Sequence, residues 1–193
     1  MPTFVVFCFR FLFLRSMTIE DAYLNQIPII QDIAEKTWWP TYSPFIEDKQ
    51  IRFMLDRIYS RETLSEVMTN KLQHFIILYD EKGPQGFAAY GIRPEDRKVV
   101  KLHKIYVLPK NHGKGYGKLL LNEVINRIMS LGIRTLELNV NRYNSARHFY
   151  ERMGFKIIRE EDVVIGEYFM NDYVMRLEVK EFQGPNSKIQ RNF

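Results

Sequence analysis

The sequence contains a single cysteine, Cys8, so no disulfide can form within one copy of the chain. This scarcity is typical of a reducing compartment, and we expect a cytoplasmic location. The apolar run from Phe4 to Leu14 is interrupted by Arg10 and is shorter than the roughly 20 residues of a membrane span. It also lacks the basic start and the small-residue cleavage site of a signal peptide. Membrane association is therefore not expected.

Arginine stripes, metal-ligand spacing and low-complexity linkers are also missing. The net charge of +5 over 193 residues is spread along the chain, so nucleic acid is not an expected partner. The four histidines are scattered, and no metal cofactor is expected. We divide the chain into an N-terminal extension (1–8), a single domain (9–180) and a polar tail (181–193). The sequence leaves open whether the chain forms a homodimer.

Hydrophobic periodicity and turn residues predict an α+β fold with a mixed sheet. The predicted helices are Ile19–Lys36 (capped by Thr18), Asp48–Tyr59, Glu62–Asn70, Tyr116–Ser130 and Ser145–Met153. The predicted strands are Phe9–Arg15, His74–Tyr79, Gly86–Ile92, Val99–Val107, Thr135–Val140, Lys156–Arg159 and Tyr173–Val179. Two prolines in Trp38–Pro44 predict an aromatic loop there.

The segment from His112 to Gly117 places three glycines between a predicted strand and a predicted helix. Glycines let a ligand approach the backbone, and the free N–H groups at a helix N-terminus bind anions. A nucleotide P-loop is excluded, because Gly113 and Gly117 are one residue too close and Leu119 stands at the hydroxyl position. The third glycine of a dinucleotide fingerprint is also missing. Taken alone, the segment is either an anion-binding loop or a turn that only caps the helix.

Two blocks resemble the GNAT superfamily of acyl-CoA-dependent N-acetyltransferases. The loop is similar to the family's acetyl-CoA motif, with His112 at a position where the family has Gln or Arg. The second block has Asn144, Ala146, Tyr150 and Gly154-Phe155 in the order of a second family motif. The resemblance covers roughly residues 9–179. It implies a mostly antiparallel sheet of about seven strands, flanked by helices, in which the fourth and fifth strands splay apart.

The resemblance also implies roles for individual residues. Tyr150 would be the general acid, although a core tyrosine on a helix face is the alternative. Asn144 would contact pantetheine, cap its helix, or do both. Lys114 and Lys118 would add charge at the pyrophosphate or remain ordinary solvated lysines. The implied acetyl-CoA-binding residues are Ile105, Tyr106, Val107, His112, Gly113, Lys114, Gly115, Tyr116, Gly117, Lys118, Asn139 and Asn144.

A narrower resemblance connects Trp38, Asp48–Leu55 and Ile165–Met175 to bacterial PaiA-type polyamine acetyltransferases. It implies a small-molecule amine acceptor such as spermidine or spermine. Carboxylates and aromatic faces would bind such cations, and the candidates are Trp38, Tyr42, Glu35, Glu161, Asp162 and Asp172. Trp38 has packing under the proline-rich segment as its alternative role.

The acceptor amine must lose a proton before it attacks, because an ordinary amine is almost fully protonated near pH 7. Glu35 and Asp172 are the candidate bases, and each has a plain surface carboxylate as its alternative. Two other functions stay open: acetylation of a protein N-terminus or lysine, and a non-catalytic acyl-CoA-binding regulator.

Overall fold

The computed structural model describes residues 17–180, so the predicted strand Phe9–Arg15, the extension 1–8 and the tail 181–193 lie outside the described residues. The strands are β1 (Thr18–Asp21), β2 (His74–Asp80), β3 (Gly83–Ile92), β4 (Val99–Val107), β5 (Thr135–Asn141), β6 (Lys156–Ile165) and β7 (Tyr168–Glu178). The helices are α1 (Ile27–Tyr42), α2 (Asp48–Tyr59), α3 (Arg61–Thr69), α4 (Tyr116–Ser130) and α5 (Ala146–Arg152). None of the described helices is long and apolar enough to cross a membrane.

The seven strands form one sheet in the order β1-β2-β3-β4-β5-β7-β6. Neighbouring strands are antiparallel except β4 and β5, which pair in parallel. That parallel pairing covers only Val99–Leu102 against Thr135–Leu138, although β4 continues to Val107 and β5 to Asn141. The two strands therefore diverge beyond this point. The predicted fold class, with a splayed pair of strands in a mostly antiparallel sheet, is confirmed.

A β-bulge changes which side chains of β4 share a face. Ala89 and Tyr90 of β3 pair with Lys104 and Leu102, which leaves His103 as an extra residue in β4. An extra residue breaks the two-residue alternation of a strand. As a result, Lys101 and Lys104 line the same cavity although they are three positions apart.

Each face of the sheet carries its own hydrophobic core. Helices α4 and α5 cover one face through Leu120, Val124 and Tyr150, which pack with Leu136 and Leu138 of β5. Helices α1 to α3 cover the other face and bury a set rich in isoleucine and aromatic rings. The site described below lies where both layers meet the splayed strands.

The predicted start of the first helix is wrong. Residues Thr18–Asp21 form β1, paired antiparallel with β2, and α1 begins only at Ile27. Proline is favoured in the first turn of a helix, so Pro28 indicates the observed start of α1. The apolar periodicity continues before Pro28 and led to the earlier predicted start. A strand at the sheet edge gains backbone hydrogen bonds from β2, which a helix over the same residues would forgo.

The predicted loop at Trp38–Pro44 is also wrong, because α1 continues through Pro40 to Tyr42. A proline inside a helix costs about 3 kcal/mol. Trp38 and Tyr42 are buried, with ring centroids 4.6 Å apart, and burying each ring stabilises the fold by roughly 2 kcal/mol or more. Tertiary packing therefore outweighs the local penalty.

The last two strands are longer than predicted. Strand β6 extends to Ile165 and β7 starts at Tyr168. The extension begins with the acidic run Glu160–Asp162, which carries no apolar alternation. Because β6 lies at the sheet edge, charged side chains are tolerated on both of its faces.

Candidate active site

The divergence of β4 and β5 opens a cavity of about 890 Å³. Its wall is formed by the end of α1, the splayed half of β4, the glycine segment with the start of α4, and parts of β5 and α5. Alternate residues of an antiparallel strand turn their N–H and C=O groups away from the partner strand. Since β5 does not pair with residues 103–107, the groups of this half that point toward β5 are not used in strand pairing and can hydrogen-bond a ligand in the cleft. Ile105, Tyr106 and Val107 all line the cavity.

The glycine segment is shaped by its backbone angles. Gly113 and Gly115 have φ values of 75° and 87°, in the left-handed region. No atom lies within 4 Å of the position that an added Cβ would take at either residue. Glycine is therefore needed for conformation, not for space. Residues 115–118 line the cavity where α4 begins, which brings the unpaired N–H groups of its first turn to the wall.

The side chains of the glycine segment differ in their contacts and in whether they line the cavity. The His112 Nε2–H donates to the carbonyl of Val107 at 2.8 Å, which ties the loop to the end of β4. The Tyr116 hydroxyl donates to Asp80 at 2.9 Å and its ring is buried, so Tyr116 meets the cavity through its backbone. Lys118 is exposed at the cavity wall, whereas Lys114 is exposed outside it.

Tyr150 on α5 lies in the wall of the large cavity. Its ring packs edge-on against Phe149 and Phe155, and its hydroxyl makes no hydrogen bond to any residue in the range 17–180. Burial, followed by the nearby Tyr42, raises the pKa of the phenol, so the group is protonated at neutral pH. It is available as a proton donor inside the cavity.

Asn144 lies where it can both cap its helix and contact a ligand. Its Oδ1 accepts the N–H of Ala146 at 2.8 Å, at the start of α5. The residue also lines the large cavity, as Tyr42 does. Capping and ligand contact are thus compatible at this position.

A cluster of aromatic rings lies between the large cavity and the α1–α3 layer. The rings of Tyr42, Tyr59 and Tyr106 each pack against Trp38 or one another, and Trp38 donates its indole N–H to Tyr59 at 3.3 Å. Burial raises the pKa of all three phenols. This packing fixes the aromatic wall beside the splayed strands.

A second, smaller cavity of about 170 Å³ adjoins the first. The two share His103, Lys104, Tyr106 and Asn139 in their walls. Asp172 of β7 lines the smaller cavity and is 7% exposed. Burial raises the pKa of this carboxyl to about 7.

The sequence also offered His103 as either a buried histidine or a substrate contact, and it lines this cavity, whereas two lysines of β4 in the same wall, Lys101 and Lys104, were not foreseen. The Lys104 ammonium is buried, donates to Gln73 at 2.7 Å and lies over the rings of Tyr59 and Phe75. Burial, and then the charge of Lys101, lowers the Lys104 pKa to about 8. The signal was present in the sequence, because two lysines interrupt an otherwise apolar strand.

Four predicted residues are not brought to the cavities, and one of them, Glu161, accepts the amide N–H of Asn139 at 2.9 Å. Glu35 is exposed on α1 and accepts the Trp39 indole N–H at 2.7 Å. Asp162 is exposed and pairs with Arg142 at 2.9 Å. Together with Lys114, they lie outside both cavity walls. By contrast, Tyr42 lines the large cavity, Trp38 lines the small one, and Asn139 lines both.

A family model described as an acetyltransferase (GNAT) domain matches residues 43–177. The chain belongs to the GNAT acetyltransferase family. Membership agrees with the splayed strands, the glycine segment and the α5 tyrosine described above.

Individual relatives share a limited sequence identity with this chain. An uncharacterised N-acetyltransferase of Mycobacterium bovis is 30% identical over 144 residues, which cover 74% of this chain and 91% of that protein. A ribosomal protein bS18-alanine N-acetyltransferase of Haemophilus influenzae is 46% identical over 54 residues, covering 28% of this chain and 37% of the relative. The crystal structure of the PaiA N-acetyltransferase of Thermoplasma acidophilum, in complex with coenzyme A, superposes with a TM-score of 0.72. It is 25% identical, and the match covers 84% of this chain and 99% of that one.

Proposed function

We propose that this protein transfers the acetyl group of acetyl-CoA to a primary amine by direct attack in a ternary complex. The observation that carries the proposal is the cleft between β4 and β5, which has a glycine loop and a helix N-terminus at one end and the Tyr150 hydroxyl in its wall. The pyrophosphate would bind the N–H groups of residues 113–118, and pantetheine would follow residues 105–107. Asn144 and Asn139 would bind along the same path.

The chain supplies the groups that the reaction needs. The amine nitrogen attacks the thioester carbonyl carbon, whose oxygen takes up the electron pair and is stabilised by a backbone N–H of the splayed half of β4. The C–S bond then breaks, and Tyr150 donates its proton to the leaving sulfur. A phenol with a raised pKa is a weak acid, so we expect this proton to move together with C–S cleavage.

Asp172 is the better of the two candidate bases. Its carboxyl is buried beside the cleft, and a pKa of about 7 leaves a large fraction ionised at neutral pH and basic enough to accept a proton from the nitrogen. Glu35 lies outside both cavities, so it would need movement of α1 or a water chain to act.

For the acceptor, we propose a small primary amine, with a polyamine such as spermidine or spermine as the first candidate. Asp172 and Glu161 supply carboxylates near the cleft, and Tyr42 and Trp38 supply aromatic faces. The resemblance to PaiA supports the same choice. Asp162 would contact only a part of the acceptor that projects outside the cavities.

A protein N-terminus is the second candidate acceptor. It is favoured by the similarity of a 54-residue segment to the bS18-alanine N-acetyltransferase. The large cavity is open enough to solvent for a chain terminus to enter, since His112, Tyr143 and Ser145 in its wall are exposed.

The test is thiol release from acetyl-CoA with polyamines, amino acids, aminoglycosides and peptides as acceptors. Acetylated spermidine, identified by mass spectrometry, is the expected product. Acetylated peptides alone would replace the polyamine with the second candidate. Binding of acetyl-CoA without transfer to any amine would reject the proposal in favour of a non-catalytic acyl-CoA-binding regulator.

A further inference from the structure

The small cavity combines two features that point to one ligand form. Asp172 Oδ1 and Asn139 Oδ1 are buried and have no hydrogen-bond partner among residues 17–180. The Asn139 amide is oriented by its N–H donation to Glu161 at 2.9 Å, so its oxygen is left over. A buried acceptor without a donor loses the hydrogen bonds that water would otherwise give it. A ligand that donates N–H groups would replace those hydrogen bonds.

The charges around the cavity oppose a cationic donor. Lys101 and Lys104 both line it, and neither forms an ion pair with a carboxylate in the described part of the chain. The nearest carboxylate of the wall, Asp172, is only partly ionised at neutral pH. An ammonium ion entering this space would be repelled by two like charges that water does not screen fully.

The titratable and charged groups on the other sides of the cavity leave the same excess of positive charge. Desolvation and the charges of Lys104, Lys101 and Arg93 lower the pKa of His103 to about 3, so this ring is neutral. Glu137 is already paired with Arg93 and Arg176. The other charged groups that act on the cavity are Glu161 and Arg159 of β6 and Arg142. The phenols of Tyr59 and Tyr106 remain protonated.

We propose that the small cavity binds the acceptor amine in its neutral form, with Asp172 Oδ1 and Asn139 Oδ1 accepting its N–H groups and Lys101 and Lys104 excluding the ammonium. This rests on the proposed function, since it names the site and the protonation state of the acceptor. It assigns the two lysines a role: they lower the pKa of the bound amine, as the charge of Lys101 lowers that of Lys104. A neutral amine is the nucleophile that acetyl transfer requires.

The test measures binding, so it does not depend on turnover. Butylamine and its neutral counterpart 1-butanol are titrated into the CoA-bound protein between pH 7 and 9. The Asp172→Asn background is used, because no carboxylate at that position can then hold the amine's proton. We expect butylamine affinity to rise about tenfold per pH unit, as its neutral fraction rises. The affinity of 1-butanol should stay constant.

Lysine variants then distinguish the effect of the charges in the cavity from the effect of removing a positive charge elsewhere on the protein. In Asp172→Asn with Lys101→Met, the ammonium is tolerated, so the slope for butylamine should flatten and its affinity at pH 7 should rise. Lys101→Met is the primary variant because Lys101 is only half-buried, and Lys104→Met is the second. Lys156→Met, an equal loss of charge at an exposed site on β6, should leave the slope unchanged.

The outcomes distinguish this inference from the proposed function. A butylamine affinity that does not change with pH, or a Lys156→Met effect equal to that of Lys101→Met, would overturn the inference even if the wild type acetylates amines. A steep pH dependence in the binding assay would support it. If no amine were acetylated by the wild type, the proposed function would fail separately.

Discussion

The two sides of the cleft are built in different ways. The proposed cofactor side uses backbone: the N–H groups at the start of α4, the left-handed Gly113 and Gly115, and the half of β4 that β5 leaves unpaired. The acceptor side uses side chains from α1, β4, β5 and β7, which come together only in the folded protein. Backbone sites depend on a short local motif, so they are general for one cofactor. Side-chain sites can change one residue at a time, so they can adapt to different acceptors.

Removing the Tyr150 hydroxyl should have the largest effect. We expect Tyr150→Phe to lower kcat by about 10²–10⁴-fold, because the leaving sulfur loses its proton donor. Acetyl-CoA affinity should be almost unchanged, since the ring still packs against Phe149 and Phe155. Steady-state kinetics and calorimetry measure the two quantities. A normal kcat would show that the hydroxyl is not the general acid.

Asp172→Asn tests the acceptor side in the same way. We expect kcat at pH 7 to fall by roughly 10²-fold and the acid limb near pH 7 to disappear from the pH profile. Glu35→Gln is the control, and it should leave both unchanged because Glu35 lies outside the cavities. The opposite pattern would transfer the role of base to Glu35.

Asp172→Asn should stabilise the folded protein although it lowers activity. The Asp172 pKa is about 7 in the folded protein and 3.8 in the reference state, so the folded state binds more protons between these values. The free energy of unfolding contributed by this group therefore falls as pH rises from about 4 to 7, by a few kcal/mol at most. Asp172→Asn should remove this loss, so it should stabilise the protein at pH 8 more than at pH 4. Urea unfolding at the two pH values measures it, and equal effects would mean that the carboxyl is not perturbed.

Glycine substitutions test the cofactor side. Gly115→Ala forces a side chain into the left-handed region, at a cost of roughly 1–2 kcal/mol. We expect acetyl-CoA affinity to fall about tenfold. Gly132→Ala is matched, because Gly132 also has a positive φ, of 74°, but lies at the other end of α4. It should reduce stability without weakening acetyl-CoA binding, and a similar loss of affinity there would argue against a specific loop contact.

The smallest effect is expected at His112. His112→Gln introduces a residue that the family uses at this position, and a glutamine amide can still donate to the Val107 carbonyl. We expect a change of less than about threefold in the acetyl-CoA KM. His112→Ala, which removes the hydrogen bond, should raise KM more than His112→Gln does. Equal effects would show that the contact with Val107 does not hold the loop.

Local patterns predicted most of the fold. The bounds of α2, β4 and α4 follow from apolar periodicity together with glycine and polar boundaries. The errors at α1 arise where long-range contacts outweigh local preference: β1 pairs with β2, and buried aromatic rings hold a helix through Pro40. Strand β6 was shortened because an edge strand of charged residues lacks alternation.

The loop that we propose for the cofactor could be predicted from sequence because its chemistry lies in consecutive backbone groups, which the glycine spacing encodes directly. The same applies to the α5 block with Tyr150. The proposed acceptor side was decided by the tertiary structure. A bulge at His103 places Lys101 and Lys104 in the wall of one cavity, together with Asp172 from β7, much later in the chain. Their charges and pKa values depend on burial and distance, which are properties of the packed structure and leave no pattern in the order of residues.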